Sequence, residues 1–231
     1  MGRYSTDVAG PPPAAPSSPL PQCPFGQPSY SMPQAGVPQT PAGWPTSFPK
    51  PIVALDLNGV IIEDTVLKGS DSVRVLPGVL DAIRTIRLKG YKLFILSDQP
   101  SISKGLNTPS NIEASFQHLM SVFGQAGIFS IDGFLYNTSE MKDDEFAKPN
   151  LGMVKRAERE MIKNARFKDG WYVGDSMVDL KFADKMESIP VLVKTGNHID
   201  ALEQLDRFTY KDIKSKTKVF NTLLEFANYL P

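Results

Sequence analysis

From about residue 50 to residue 196 the apolar positions alternate between two periodicities. "PIVALDL" (51–57) is a short run rich in β-branched residues, as in a strand buried on both faces. "GVLDAIRTIRLKG" (78–90) instead repeats its apolar positions at helical spacing and stops at Gly90. The same alternation continues through a strand "YKLFILSD" (91–98), a helix "NIEASFQHLMSVFGQAG" (111–127), a strand "IDGFLYN" (131–137) and a helix "LGMVKRAEREMI" (151–162). It ends with a strand "GWYVGD" (170–175), a helix "MVDLKFADKM" (177–186) and a strand "IPVLVKTG" (189–196). Strands that alternate with helices are joined by right-handed crossovers, which predicts a Rossmann-like α/β fold with a parallel sheet sandwiched between helices. In such sheets ligands bind beyond the carboxyl ends of the strands, so the residues just after each strand carry the functional expectation.

Residues 1–49 have a different texture. They hold most of the chain's 20 prolines, few charges and repeated Ser, Gln, Ala and Gly. Such a composition buries too little apolar surface to offset its ordering entropy, which predicts a disordered or extended Pro-rich arm preceding a domain over 50–231. Spacings such as Pro13-Ala-Ala-Pro16, and the aromatics Phe25, Tyr30, Trp44 and Phe48, offer a protein partner for the arm or anchors onto the domain; a plain spacer is the blander reading.

Charge and cysteine content narrow the chemistry. Lys plus Arg and Asp plus Glu each total 25, so no net field draws the chain to nucleic acid, which is disfavoured as a partner. The single cysteine, Cys23, excludes an internal disulfide and a Cys-rich zinc site and fits a reducing, cytoplasmic setting. No apolar stretch reaches the roughly 18–20 residues of a membrane span. Function therefore rests on oxygen and amine groups. The strand ends supply them: Asp56 and Asn58 after the first strand, Ser97 and Asp98 at the second, Lys148 in "EFAKPNLGM", and Asp175 with Asp179 in "GDSMVD". Carboxylates gathered from separate strand tips repel one another unless a cation joins them. Mg²⁺ suits such a set, because it takes few carboxylates together with water and a phosphate oxygen, and the expected ligand is a phosphate ester.

Four ordered segments, "DLNGV", "ILSDQPSISKG", "AKPNLGM" and "YVGDSMVD", resemble the motifs of the haloacid dehalogenase superfamily, over about residues 52–196. Within it the chain is similar to the capless histidinol-phosphate and heptose-bisphosphate phosphatase group. The resemblance implies Asp56 as the nucleophile that accepts a phosphoryl group as an aspartyl phosphate. It implies Mg²⁺ held by Asp56, Asp175 and the backbone carbonyl of Asn58, with Asp179 orienting the metal shell. Ser97 and Asp98 would face the substrate phosphate, and Lys148 would offset its charge. The short segments after the first two motifs leave no room for a large cap domain. An uncapped cleft suits a phosphorylated small molecule or a macromolecular phosphate end, and "GYKLFILSDQPSISKG" also resembles the phosphatase module of polynucleotide kinase-phosphatases, a 3'-phosphatase alternative.

Three departures qualify the resemblance. Asn58 stands where the family has an aspartate that protonates the leaving oxygen, so catalysis should be slow. Asp98 stands where close relatives usually have asparagine, which adds negative charge near the phosphate. The loop "YNTSEMKDDEFAKP" lacks the Cys and His of the zinc loop found in many heptose-bisphosphate enzymes, so a sugar bisphosphate is not carried over as substrate. The competing expectation is a catalytically degenerate domain that serves as a binding or structural module through its arm. His118 and His198 are read as packing or surface residues.

Overall fold

In the computed structural model the described residues are 52–162 and 166–231. The Pro-rich arm expected over 1–49 and its boundary with the domain lie outside them, as does Cys23. A single six-stranded sheet runs in the order β3-β2-β1-β4-β5-β6, with every neighbouring pair parallel. Its strands are β1 (Ile52–Leu55), β2 (Lys92–Asp98), β3 (Gly133–Asn137), β4 (Trp171–Gly174), β5 (Ile189–Val193) and β6 (Lys218–Phe220). The helices are α1 (Val79–Leu88), α2 (Pro109–Gln125), α3 (Gly152–Glu160), α4 (Met177–Lys185), α5 (His198–Leu205), α6 (Lys211–Lys216) and α7 (Leu223–Tyr229).

The expected strands and helices between 51 and 196 all form, with ends displaced by a few residues for local reasons. Helix α2 begins at Pro109 rather than Asn111, because the Thr108 side chain caps the Asn111 N–H and proline is tolerated in the first turn. Beyond residue 196, past the last element expected from the apolar pattern, the chain goes on to build α5, α6, the edge strand β6 and α7.

Alternation along the strands divides the core between the two faces. Val53, Leu55, Val191 and Val193 join the core formed with α1, α2 and α7, whereas Leu192 points to the opposite face and packs with Met177, Leu180, Ala201 and Leu205 of α4 and α5. All four residues of β1 are buried, which explains why its sequence is an unbroken apolar run. The chain leaves β1 first toward β2 and β3 and then returns to β4 on its other side. The tips of β1 and β4 therefore flank the crevice where ligands bind in open α/β sheets. Between β1 and α1 lies only a small flap, with bridges Asn58↔Ile62 and Ile62↔Val75 and a 3-10 turn at Ser70–Ser72; between β2 and β3 lies a loop with one helix. Neither segment holds a large cap. No helix among the described residues is long and apolar enough to cross a membrane.

Candidate active site

The backbone of Asp56 continues the sheet by donating its N–H to the carbonyl of Val173 (2.9 Å), which fixes the carboxylate between the ends of β1 and β4. Lys148, from the loop before α3, reaches into the same place. Its Nζ lies 2.7 Å from Asp179 Oδ1, 3.0 Å from Asp56 Oδ1 and 3.2 Å from the Tyr172 hydroxyl. The ammonium and both carboxylates are buried. Despite the close ion pair, Asp56 Oδ1 has no partner in hydrogen-bonding geometry among the described residues.

Asp175 and Asp179 follow β4. Asp175 Oδ2 accepts from the backbone N–H of Asn197 (2.7 Å). The tight packing around that oxygen requires glycine: a Cβ at Gly59, whose φ is +74°, or at Gly196 would overlap it. Asp179 opens α4 in a capping box with Ser176, accepting from the Ser176 hydroxyl (2.5 Å) and backbone N–H (3.2 Å) through Oδ2. Its other oxygen faces Lys148 and the Tyr172 hydroxyl. Both Asp179 oxygens are thus engaged in hydrogen bonds, whereas Asp56 Oδ1 meets the Lys148 ammonium as an ion pair outside hydrogen-bonding geometry. Carboxylate oxygens of Asp56, Asp175 and Asp179 lie within 4.8 Å of one another. Of the expected acidic groups, these three converge.

Asp98 stands apart from the cluster in its contacts. Its Oδ1 accepts from Asn137 Nδ2 (3.0 Å) and its Oδ2 from the backbone N–H of Lys148 (3.1 Å), so it ties the tips of β2 and β3 to the lysine loop. Asn58 is held at both ends: Nδ2 donates to the Thr65 carbonyl (2.8 Å) and Oδ1 accepts from Gln99 Nε2 (2.8 Å). Gln99 also donates to the Ser97 hydroxyl (3.1 Å). His118 is exposed on α2, and His198 hydrogen-bonds through Nδ1 to the Gly196 carbonyl (2.9 Å). Tyr172, Gln99 and Asn197 were not singled out by sequence reasoning. Tyr172 reads as ordinary core within β4, and only the hydroxyl on an otherwise apolar strand hints at a polar partner.

Electrostatics reflect this crowding. Burial, reinforced by Asp179 and Asp175 and opposed by Lys148, pushes the Asp56 carboxyl up to about 8. Burial and the neighbouring Asp179 push Asp175 up to about 6. Burial raises Asp98 as well. For Lys148 burial pulls downward, but Asp179 and Asp56 outweigh it and hold the ammonium well above its ordinary range. Acids whose folded-state pKa lies above the unfolded value make the native state bind more protons than the unfolded chain, so stability falls as pH rises. In EDTA, urea denaturation should show stability declining as pH rises from the ordinary carboxylate value of 3.8, through about 6 for Asp175, to about 8 for Asp56. The raised Lys148 contributes nothing to that slope, because its effect is lost only at higher pH. A stability that climbs across this interval would contradict the assignment.

Comparison with known proteins agrees with this architecture. A family model described as haloacid dehalogenase-like hydrolase matches residues 50–186. The D-glycero-beta-D-manno-heptose-1,7-bisphosphate 7-phosphatase of Neisseria meningitidis is 29% identical over 182 residues, spanning 78% of this chain and 94% of its own. The histidine biosynthesis bifunctional protein HisB of Xylella fastidiosa is 29% identical over 144 residues, 59% of this chain but 36% of that protein. Among solved structures, the D,D-heptose 1,7-bisphosphate phosphatase of Burkholderia thailandensis superposes with a TM-score of 0.57 at 26% identity, covering 78% of this chain and 97% of its own. The B. bronchiseptica D,D-heptose 1.7-bisphosphate phosphatase, solved with magnesium and phosphate, shares the fold with a TM-score of 0.67 at 24% identity, over 78% of this chain and 97% of that one. By its matched family model and its parallel fold, the chain belongs to the haloacid dehalogenase-like hydrolases.

Proposed function

We propose that the protein is a Mg²⁺-dependent phosphatase that acts on a phosphate monoester through Asp56, slowly because position 58 carries an amide. The observation that carries this reading is the buried convergence of the Asp56, Asp175 and Asp179 carboxylates, with Asp56 Oδ1 3.0 Å from the Lys148 ammonium. A divalent cation fits the site. Two acids held above their ordinary range by burial and mutual repulsion gain from a positive charge, and oxygen donors are what Mg²⁺ prefers. Asp56, Asp175 and the Asn58 carbonyl would hold it, with Asp179 as an outer partner because its own oxygens are already taken. When bound, the ion supplies charge neutralisation for the incoming phosphoryl group. The solved relative with magnesium and phosphate supports the choice of cation.

Within this reading the chain's own groups divide the work. Asp56 attacks phosphorus as the ester P–O bond breaks and the leaving oxygen takes a proton from water; water then attacks the acyl phosphate, releasing inorganic phosphate and restoring the carboxylate. Lys148, fixed by Asp179 and Tyr172, places its ammonium beside the attacking carboxylate, where negative charge gathers in the transition state. Asp98 acts as a positioning residue that anchors the lysine loop through the Lys148 N–H. Ser97 donates its hydroxyl to a phosphate oxygen. The substrate class is a phosphorylated small molecule, as the names of the relatives support. A sugar bisphosphate is not specified, because the loop between β3 and Lys148 has neither Cys nor His; it is closed instead by Asn150, whose Nδ2 donates to the carbonyls of Lys142 (3.0 Å) and Asp144 (2.8 Å).

The test is turnover of an activated aryl phosphate. The wild-type protein should hydrolyse it in Mg²⁺ and lose the activity in EDTA, while Asp56→Asn and Asp175→Ala should each remove it. Mg²⁺ should also raise the melting temperature of the wild type by mass action, but not that of Asp175→Ala. Metal-dependent stabilisation without turnover on any phosphate ester would favour the binding-module reading.

A further inference from the structure

Four polar groups link the flap to the tip of β2, and the direction of each hydrogen bond follows from the one before it. The Thr65 carbonyl can only accept, so the Asn58 side chain must present its NH₂ there (2.8 Å). That orientation turns Asn58 Oδ1 toward Gln99, and an acceptor at 2.8 Å requires Gln99 to present its own NH₂. A primary amide has two N–H donors, and the second points at Ser97 Oγ (3.1 Å). The Ser97 hydroxyl is therefore an acceptor toward Gln99, and among the described residues its own proton is donated to no other group. Ser97 and Gln99 are both buried, so neither satisfies these bonds through bulk solvent.

From this chain of contacts we infer that Gln99 is a positioning residue: with Asn58 and the Thr65 carbonyl it sets the polarity of the Ser97 hydroxyl, so that its proton is free to be donated to a substrate phosphate oxygen. The inference rests on the proposed phosphatase reading and deepens it by assigning a role to a residue outside the metal and nucleophile set. It also gives Asn58 a function of its own. An amide satisfies the Thr65 carbonyl and Gln99 simultaneously, whereas an ionised carboxylate would set two acceptors against each other at Thr65. An undirected serine hydroxyl would spend part of its time turned toward other acceptors, and the hydrogen bond it makes to a charged phosphate is one of the stronger kinds.

The probe is inorganic phosphate in the presence of Mg²⁺, with binding measured by calorimetry on the full chain for wild type, Ser97→Ala, Gln99→Met and the double variant. Methionine keeps the length of glutamine without its donors or a new charge. Each single variant should weaken phosphate binding by about 10-fold, the scale of one hydrogen bond to a charged group, and the double variant should be no more than about 3-fold weaker than Ser97→Ala. Mg²⁺ affinity measured without phosphate should stay within about 2-fold in Gln99→Met, which a general loosening of the site would not allow. Gln99→Leu serves in the same cycle if the methionine variant does not fold. Additive losses, unchanged phosphate binding in the Gln99 variants, or a parallel drop in Mg²⁺ affinity would each overturn the inference. Failure of the wild-type protein to bind phosphate would instead overturn the phosphatase reading, and this role for Gln99 with it.

Discussion

Replacing Lys148 by methionine should destabilise the metal-free protein by about 3–5 kcal/mol near neutral pH, the cost expected when one partner of a buried ion pair is removed. The side chains concerned are almost fully enclosed: 4% exposed for Lys148, 11% for Asp56 and 2% for Asp179. Without the ammonium, Asp56 is driven further toward its protonated form, because burial and Asp179 act on it unopposed. Asp179 keeps its contacts with the Tyr172 hydroxyl and Ser176 but loses the Lys148 ammonium, its salt-bridge partner among the described residues. The deficit should therefore grow with rising pH, since each carboxylate that ionises now lacks a counter-charge. Mg²⁺ should recover part of it, because the ion, held as proposed, would supply positive charge to the same oxygens, while turnover should remain below detection. Urea denaturation of both proteins across about pH 5–8, with EDTA or with Mg²⁺, separates these effects. A loss under about 1 kcal/mol that depends on neither pH nor metal would mean that the lysine is not the electrostatic hub of the site.

The parts of this structure that were legible in the sequence are those in which one short segment carries both the pattern and the chemistry. An unbroken apolar run ending in Asp56 identifies a central strand and its tip together, and "YVGDSMVD" does the same for β4 and α4. Two of the C-terminal elements lack such a pattern. Strand β6 has three residues at the edge of the sheet, two of them exposed, and α6 is six residues long and mostly polar, so neither has a strong apolar period. The missed site residues are missed for another reason: their roles depend on contacts between distant segments. Tyr172 meets Lys148 across 24 positions and Gln99 meets Asn58 across 41. Asp98 shows the same limit. Its position in the motif leads to an expectation of phosphate contact, and only the fold reveals that its carboxylate also accepts from the Asn137 amide and the Lys148 N–H. The side chain of a motif residue is aimed by its neighbours, and these lie elsewhere in the chain.

Asn58→Asp should raise turnover of an alkyl phosphate by about 10²-fold or more, the lower end of what general acid–base assistance contributes, and turnover of an aryl phosphate by much less. The difference follows from the leaving group. An alkoxide needs a proton as the P–O bond breaks, whereas an aryl oxide departs readily without one. The structure bears on whether the new carboxyl would hold that proton. The oxygen replacing Nδ2 would face the Thr65 carbonyl, which accepts an O–H but repels an ionised oxygen, while its partner oxygen would still accept from Gln99. Contact with Thr65 thus favours the protonated acid, and Mg²⁺ held by the residue 58 carbonyl, as proposed, would oppose it. Activity on alkyl phosphates should accordingly fall as pH rises past the new group's pKa, a limb absent from the wild-type profile. Single-turnover and steady-state rates on a matched alkyl and aryl pair check both points, because the restored base should also hasten breakdown of the aspartyl phosphate. Equal acceleration of the two substrates would indicate that breakdown limits both. No acceleration of either, with Mg²⁺ binding retained, would mean that the amide at position 58 is not what slows the site, and the flap that carries Thr65 would become the element to alter next.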